Sequence, residues 1–410
     1  MIVGPKIHGL SALAANLLIG IASAQDRGQE PDPKRITDVK PNGQPQLVAW
    51  SQAGKTGTYW VRIPQKAKKE LATRAILWLH GARGSGHEHQ QALATAGLGK
   101  QEILICPNGA HKNGPFSYDH DRDAANLLLA LDDVAACWKL GSVFLGGHSQ
   151  GAFTTHIVFA AAPERFAGVL PCSGGPGGMT TPKGMLDKAG KTAAPIFLVH
   201  GDSDPTVDSA LDDKFYETLL EGPWTALRYL HPFDLDHDLG KIPLKECFEW
   251  LFALGSDKPA ELLTFAKQAA NSDRPRDALY ALDRAEALKA PASQVQALRK
   301  TALARTAVIG KEWVKRLETE KTRNEALGKF YDARSGFFGT EEGEPAFAAF
   351  RALRDAQAEG AKQAVEEARA AARDGKGAAR GSYEALLGKY PAVYAVVREA
   401  QGWLAKNRGK

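Results

Sequence analysis

Cysteine is scarce in this chain: four residues in 410, at Cys106, Cys137, Cys172 and Cys247. Their spacing does not resemble a zinc site. Cys106 and Cys172 each close an expected strand, with two other strands between them. At about 5 Å per strand the gap is too wide for a disulfide. Cys137 ends a helix at the opposite end of that sheet and Cys247 lies in a later helix, so buried free thiols are expected. An excess of one charge is also missing. There are 52 Lys and Arg against 47 Asp and Glu, a net charge of +5, and the surplus is spread along helical faces beyond residue 256. With no zinc-finger or RRM-type motif beside it, this charge reads as solvated surface and no nucleic-acid partner is expected; an acidic partner stays open as the alternative. Beyond residue 24 no apolar run reaches membrane-spanning length, so no stable membrane span is expected. No cofactor and no metal is expected.

At 410 residues the chain exceeds one compact core and suits two domains plus a tail. Lys6 and His8 precede an apolar run over 10–21, followed by Ala22-Ser23-Ala24. A basic start, a short apolar stretch and a small-x-small site describe a secretory signal peptide over 1–24, and export to the periplasm or beyond. Residues 25–44 are polar and rich in Pro and Gly, as a linker is.

From 45 to 255 apolar strands alternate with helices. A hairpin is expected at 46–50 and 58–63, followed by strands at 75–79, 102–106, 142–145, 168–171, 196–199 and 226–230. Helices are expected at 123–137, capped by Asp121, at 152–162 and at 244–254. The fold class is α/β: a mostly parallel sheet with helices on both faces. From 256 to 410 the pattern is all helical, broken near 273–275, 290–291, 336–339 and 375–381. The stretches 276–282 and 382–391 resemble tetratricopeptide helices, yet no steady period returns. A helical bundle and a partner-binding solenoid both remain open.

The chemistry concentrates at strand ends, where catalytic groups gather in such sheets. Gly147-His148-Ser149-Gln150-Gly151 fits G-x-S-x-G between a strand and a helix. A turn that sharp accepts only small residues beside the serine, and it lifts the Ser149 hydroxyl to a helix N-terminus. A serine nucleophile needs a base, and the base needs an orienting carboxylate. His200-Gly201-Asp202-Ser203-Asp204-Pro205-Thr206-Val207 follows one strand; the next leads into His231-Pro232-Phe233-Asp234-Leu235-Asp236-His237-Asp238.

Residues 45–255 therefore resemble the α/β-hydrolase superfamily, in particular secreted bacterial phospholipase/carboxylesterase and feruloyl-esterase-like serine hydrolases. The resemblance covers about half the chain, and its motifs are specific for fold and for serine chemistry rather than for substrate. It implies Asp204 as the acid, in a G-x-x-D-x-x-V frame, with Asp202 as runner-up. It implies His237 as the base, with His231 as runner-up; Asp236 stands where the family usually has Gly. The amide of Gln150, next after the nucleophile, is one expected oxyanion donor. His80-Gly81-Ala82-Arg83-Gly84-Ser85 resembles the family's HG-x-x-G-S loop, which implies the Ala82 amide as the second. His80 is expected to orient that loop. Arg83 is a candidate contact for a substrate carboxylate, or else an exposed loop arginine. The loop 107–123 is expected to wall the pocket, with Tyr118, His120 and Asp121 as candidate contacts, or else a polar surface loop. The acids at 119–123 read as caps in preference to metal ligands. Only about 55 residues separate Ser149 from Asp204, and two helices, a strand and the loop 173–178 fill them, so an open pocket without a large cap is expected.

Together these features describe an exported serine hydrolase that cleaves a small-molecule or polymer-linked carboxylic ester through Ser149, His237 and Asp204. Two alternatives stand beside it. One is a prolyl-oligopeptidase-like serine peptidase, although the extra domain here follows the hydrolase and does not precede it. The other is a scaffold whose helical domain binds a protein partner.

Overall fold

In the computed structural model the described residues are 31–52, 54–109, 118, 120–176, 194–221, 226–232, 235–319, 326–327, 329–330 and 333–407. The expected signal peptide, the start of the linker, Asp119 and the second helix expected between Ser149 and Asp204 lie outside them.

Eight strands form one sheet: β1 (Pro45–Gln52), β2 (Lys55–Arg62), β3 (Thr73–Leu79), β4 (Ile103–Pro107), β5 (Leu140–His148), β6 (Gly168–Cys172), β7 (Ile196–Val199) and β8 (Leu227–Leu230). Their order is β1-β2-β4-β3-β5-β6-β7-β8. β1 and β2 make the expected antiparallel hairpin and β2 runs antiparallel to β4; every later pairing is parallel. β4, β6 and β7 are buried along their whole length, which is why they read as unbroken apolar runs. Cys106, next to last in β4, and Cys172, last in β6, have β3 and β5 between them, and all four cysteines are free.

Alternation along the strands feeds two cores. Leu77, Leu145 and Leu198 face α2 (His120–Cys137), α3 (Gln150–Ala161) and α4 (Ala210–Glu221) through Leu131, Phe159 and Phe215. Ile76, Trp78 and Phe144 face α1 (Gly86–Thr95) and α5 (Leu244–Leu254) through Leu93, Phe248 and Leu251. Helix α1, a helix beyond those expected from the sequence, opens on a reciprocal capping box formed by Ser85 and Glu88. Helix α2 begins at His120, so Asp121 lies in its first turn and is not its cap.

Beyond residue 256 no strand occurs among the described residues. The helices whose bounds lie among the described residues are α6 (Pro259–Ala269), α7 (Pro275–Ala287), α8 (Ala292–Glu318), α9 (Glu344–Asp374), α10 (Lys376–Lys389) and α11 (Tyr394–Lys406). Leu262, Leu279, Leu282 and Val295 from α6–α8 join the same core as Phe248 and Leu251, so the apolar interior continues across the change in composition. Asp277 on α7 is 1% exposed and receives Trp250 Nε1–H at 2.9 Å and the guanidinium groups of Arg228 and Arg274 at 3.1 and 3.0 Å. Arg274 also donates to the carbonyl of Leu227 at 2.8 Å, covering the edge strand β8.

Candidate active site

Ser149 sits between β5 and α3 with φ 56° and ψ −120°, outside the comfortable regions for an L-residue. Close packing enforces that turn. A Cβ on Gly147 would stand 2.4 Å from the carbonyl oxygen of Gly151, and one on Gly151 would stand 2.1 Å from that of Leu79. The glycines of the motif are there because backbone occupies the space a side chain would need. Gln150 opens α3, so its N–H has no carbonyl one turn back to bond. The 80–82 loop lies against the elbow, since a Cβ on Gly81 would stand 3.3 Å from the Ser149 Cβ. Ala82, the other expected oxyanion donor, follows in that loop and is exposed.

His237 and Asp204 are brought together. Nδ1–H of His237 donates to Oδ2 of Asp204 at 2.6 Å, which leaves Nε2 as the ring's basic nitrogen. The His237 carbonyl accepts from Nε2–H of His148 at 3.0 Å, and the two rings lie 4.8 Å apart. Because His148 immediately precedes Ser149, this bond docks the 237 loop on the elbow. No hydrogen bond joins the Ser149 hydroxyl to His237 Nε2 among the described residues. Such contacts are often long until substrate binds.

Asp204 is held as a carboxylate. Its side chain is buried, which opposes ionisation, but His200, His237 and the N–H groups of Val207 and Thr206 outweigh burial and hold its pKa well below the usual carboxylate range. The backbone bonds to Oδ1 are 2.7 Å from Thr206 and 3.0 Å from Val207. Behind it lies fully buried His200, whose Nδ1 reaches Asp212 Oδ2 at 2.6 Å and whose Nε2 faces the carbonyl of Val207 at 3.1 Å and Asp204 at 3.4 Å. Both ring nitrogens face acceptors only, so both must carry protons. Burial works against that cation, yet the hydrogen bonds to Asp204 and Asp212 raise its pKa to about 10. The site is thus a chain, Asp212–His200–Asp204–His237, with alternating charge behind the acid.

The other histidines nearby are neutral. Burial lowers His148 and His80 to about 4 and His89 to about 3. His80 donates from Nδ1 to its neighbour's carbonyl at Gly81 (2.8 Å) and accepts from Gly109 N–H (3.3 Å), bracing the 80–82 loop.

The runner-up residues go elsewhere. Asp202 pairs with Arg398 of α11, and Nδ1 of His231 lies 3.1 Å from the same guanidinium. A cleft of about 820 Å³ lies between α4 and the C-terminal helices, bordered by Asp202, Asp213, Arg398 and Trp403; neither Ser149 nor His237 lines it. Tyr118 is 2% exposed, and its hydroxyl is committed, accepting from His80 N–H and donating to the Pro107 carbonyl, both at 3.0 Å. Its backbone pairs with the Gln150 amide side chain at 3.3 and 3.2 Å. Tyr118 is a buried brace between loop and elbow and not part of an exposed wall. Arg83 is exposed, with φ 64°. His120 opens α2, and its side chain lies outside the described part, as does that of Asp121. Among the described residues no group of three His, Cys, Asp or Glu could hold a metal ion, and no helix is long and apolar enough to cross a membrane. The sequence reading missed His148 as a docking group, and His200 and Asp212 as the chain behind the acid. No spacing pattern marks any of the three.

Among solved structures, a thermostable esterase is 18% identical with a TM-score of 0.41, over 51% of this chain and 62% of its own. A feruloyl esterase module from Clostridium thermocellum, complexed with sinapinate, is 13% identical with a TM-score of 0.41, over 53% of this chain and 90% of its own. Zea mays acyl-protein thioesterase 2 is 19% identical with a TM-score of 0.40, over 49% of this chain and 100% of its own. No curated protein matches the chain. Residues 130–229, from within α2 to within β8, match the phospholipase/carboxylesterase family model, a span that includes Ser149 and Asp204 and stops before His237. The domain that carries this match has the α/β-hydrolase fold, and its segment 130–229 is similar to the phospholipase/carboxylesterase family.

Proposed function

We propose that the protein is an exported carboxylic-ester hydrolase that works through Ser149, His237 and Asp204. The observation that carries the reading is the 2.6 Å bond from His237 Nδ1–H to Asp204, in a loop that His148 ties to the elbow. Ser149 Oγ attacks the acyl carbon, and its proton passes to His237 Nε2, the nitrogen that Asp204 leaves unprotonated. The oxyanion takes the N–H groups of Gln150 and Ala82. His237 then protonates the departing alkoxide, leaving the acyl group on Ser149. Water, deprotonated by the same imidazole, releases the acid. His200 supports the scheme by keeping Asp204 ionised, and Asp212 balances His200. Export rests on the leader-like pattern over 1–24.

One experiment tests both parts. Protein recovered from outside the cytoplasm should begin at Gln25 and hydrolyse p-nitrophenyl butyrate, and Ser149→Ala should remove at least about 10³-fold of that activity while the protein stays folded. Undiminished turnover by the variant sinks the catalytic assignment, and retention inside the cytoplasm with residues 1–24 attached sinks export.

A further inference from the structure

The last helix of the chain reaches the catalytic end of the sheet. Arg398 on α11 is buried; its Nη1 pairs with Asp202, and its Nε–H donates to Asp213 Oδ2 at 3.1 Å. Burial lowers its pKa to about 10, so it remains a cation at neutral pH. Asp202 stands two residues before Asp204 in one loop, and Asp213 follows Asp212 on α4. The two adjacent acids of α4 therefore serve different cations: Asp212 takes His200, while Asp213 takes Arg398 and the Tyr229 hydroxyl (2.8 Å).

The loop that Arg398 grips also carries the base loop. Asp202 N–H donates to the Pro232 carbonyl at 3.1 Å, and Ser203 N–H to that of Leu235 at 3.2 Å. Gly201 packs so closely there that a Cβ would stand 1.9 Å from the Leu235 oxygen. A guanidinium that bridges carboxylates from two elements fixes their separation, which the chain between them does not. Without it, two buried acids lose their counter-charge, and the loop must open to hydrate them. Any such movement is felt at Asp204 and, through the laced backbones, at His237.

We propose that Arg398 is a positioning residue for the Asp204–His237 pair: the helical region completes the hydrolase site from behind by clamping the 201–207 loop to α4. The proposal rests on the reading of Ser149, His237 and Asp204 given above.

The test uses the full chain with Arg398→Met, Arg398→Lys and Asp202→Asn, and Arg380→Ala as a control on the exposed side of α10. Two quantities are read: kcat and KM on p-nitrophenyl butyrate, and the low-field proton resonance of the His237–Asp204 hydrogen bond, assigned by its loss in His237→Ala. Arg398→Met should lower kcat by about tenfold or more with KM changed less than about threefold, since a small misplacement of reacting groups costs rate more than binding. Its low-field proton should move or broaden, Arg398→Lys should restore part of both, and Arg380→Ala should change neither. In the double variant with Asp202→Asn, the kcat loss should not exceed the larger single loss, because both act through one contact. Arg398→Met with wild-type kcat and an unmoved resonance overturns the proposal. Should Arg398→Met fail to fold, Asp202→Asn and Arg398→Lys decide, and wild-type values in Asp202→Asn overturn it equally. Normal turnover by Ser149→Ala would instead strike the underlying reading, while the resonance would still report whether Arg398 sets the geometry.

Discussion

Charged groups are treated in opposite ways where the helical region meets the sheet and where it faces water. At the junction, Asp277 is 1% exposed and serves Arg228, Arg274 and Trp250 together. On the outer face of α10, Arg380 and Glu384 pair at 3.0 Å with both side chains 54% exposed. Water screens the outer pair and each side chain gives up rotamer freedom to form it, so its net contribution is small. A buried pair gains little against a well-packed apolar replacement, but removing one partner strands the other without solvent. The number of ion pairs is thus a poor guide to what holds the helices on the hydrolase; burial of the individual charge is the better one.

Asp277→Ala should test that contrast most severely. It takes their shared carboxylate from two half-buried guanidinium groups and a buried indole N–H, Arg274 keeping the Leu227 carbonyl and the Ser335 hydroxyl, and denaturant unfolding should show a loss of about 3 kcal/mol. A loss below about 1 kcal/mol would put the junction on a par with the outer face. A second effect is a pH dependence. His200 is raised from 6.5 to about 10 on folding, so its contribution to stability is complete below about pH 6.5 and is lost as pH climbs towards 10. Melting temperature should therefore fall across that window in the wild type, and His200→Gln should flatten the fall. An equally steep slope in the variant would mean that the ring is not the buried cation described. Arg380→Ala should do least, within about 0.5 kcal/mol of wild type by the same unfolding measurement.

How much could be read in advance divides along similar lines. The parallel strands were legible because doubly buried strands leave unbroken apolar runs, and Ile196–Val199 and Gly168–Cys172 fell where those runs predict them, the latter extending one residue further. The elbow was legible because G-x-S-x-G reports a local backbone constraint. The pairing of His237 with Asp204 was within reach of the family frame. What stayed hidden depends on residues far apart in the chain. Asp202 and Arg398 meet through the packing of two regions, so no local spacing could mark Asp202 as an anchor and not an acid. Tyr118 looked like a polar loop residue because its burial comes from the elbow and strand ends folding over it. The helical region showed only a weak repeat, and the reason is visible in its helices: lengths of 11, 13, 27, 31, 14 and 13 residues do not define a stacking unit.

The central claim concerns one hydroxyl group at the head of α3. Treating the wild-type protein with a fluorophosphonate and locating the adduct by peptide mass spectrometry tests it most directly. The account predicts a single adduct on Ser149, formed far more slowly in His237→Ala. An adduct on another serine, or labelling of Ser149 at an undiminished rate without the imidazole, would contradict it.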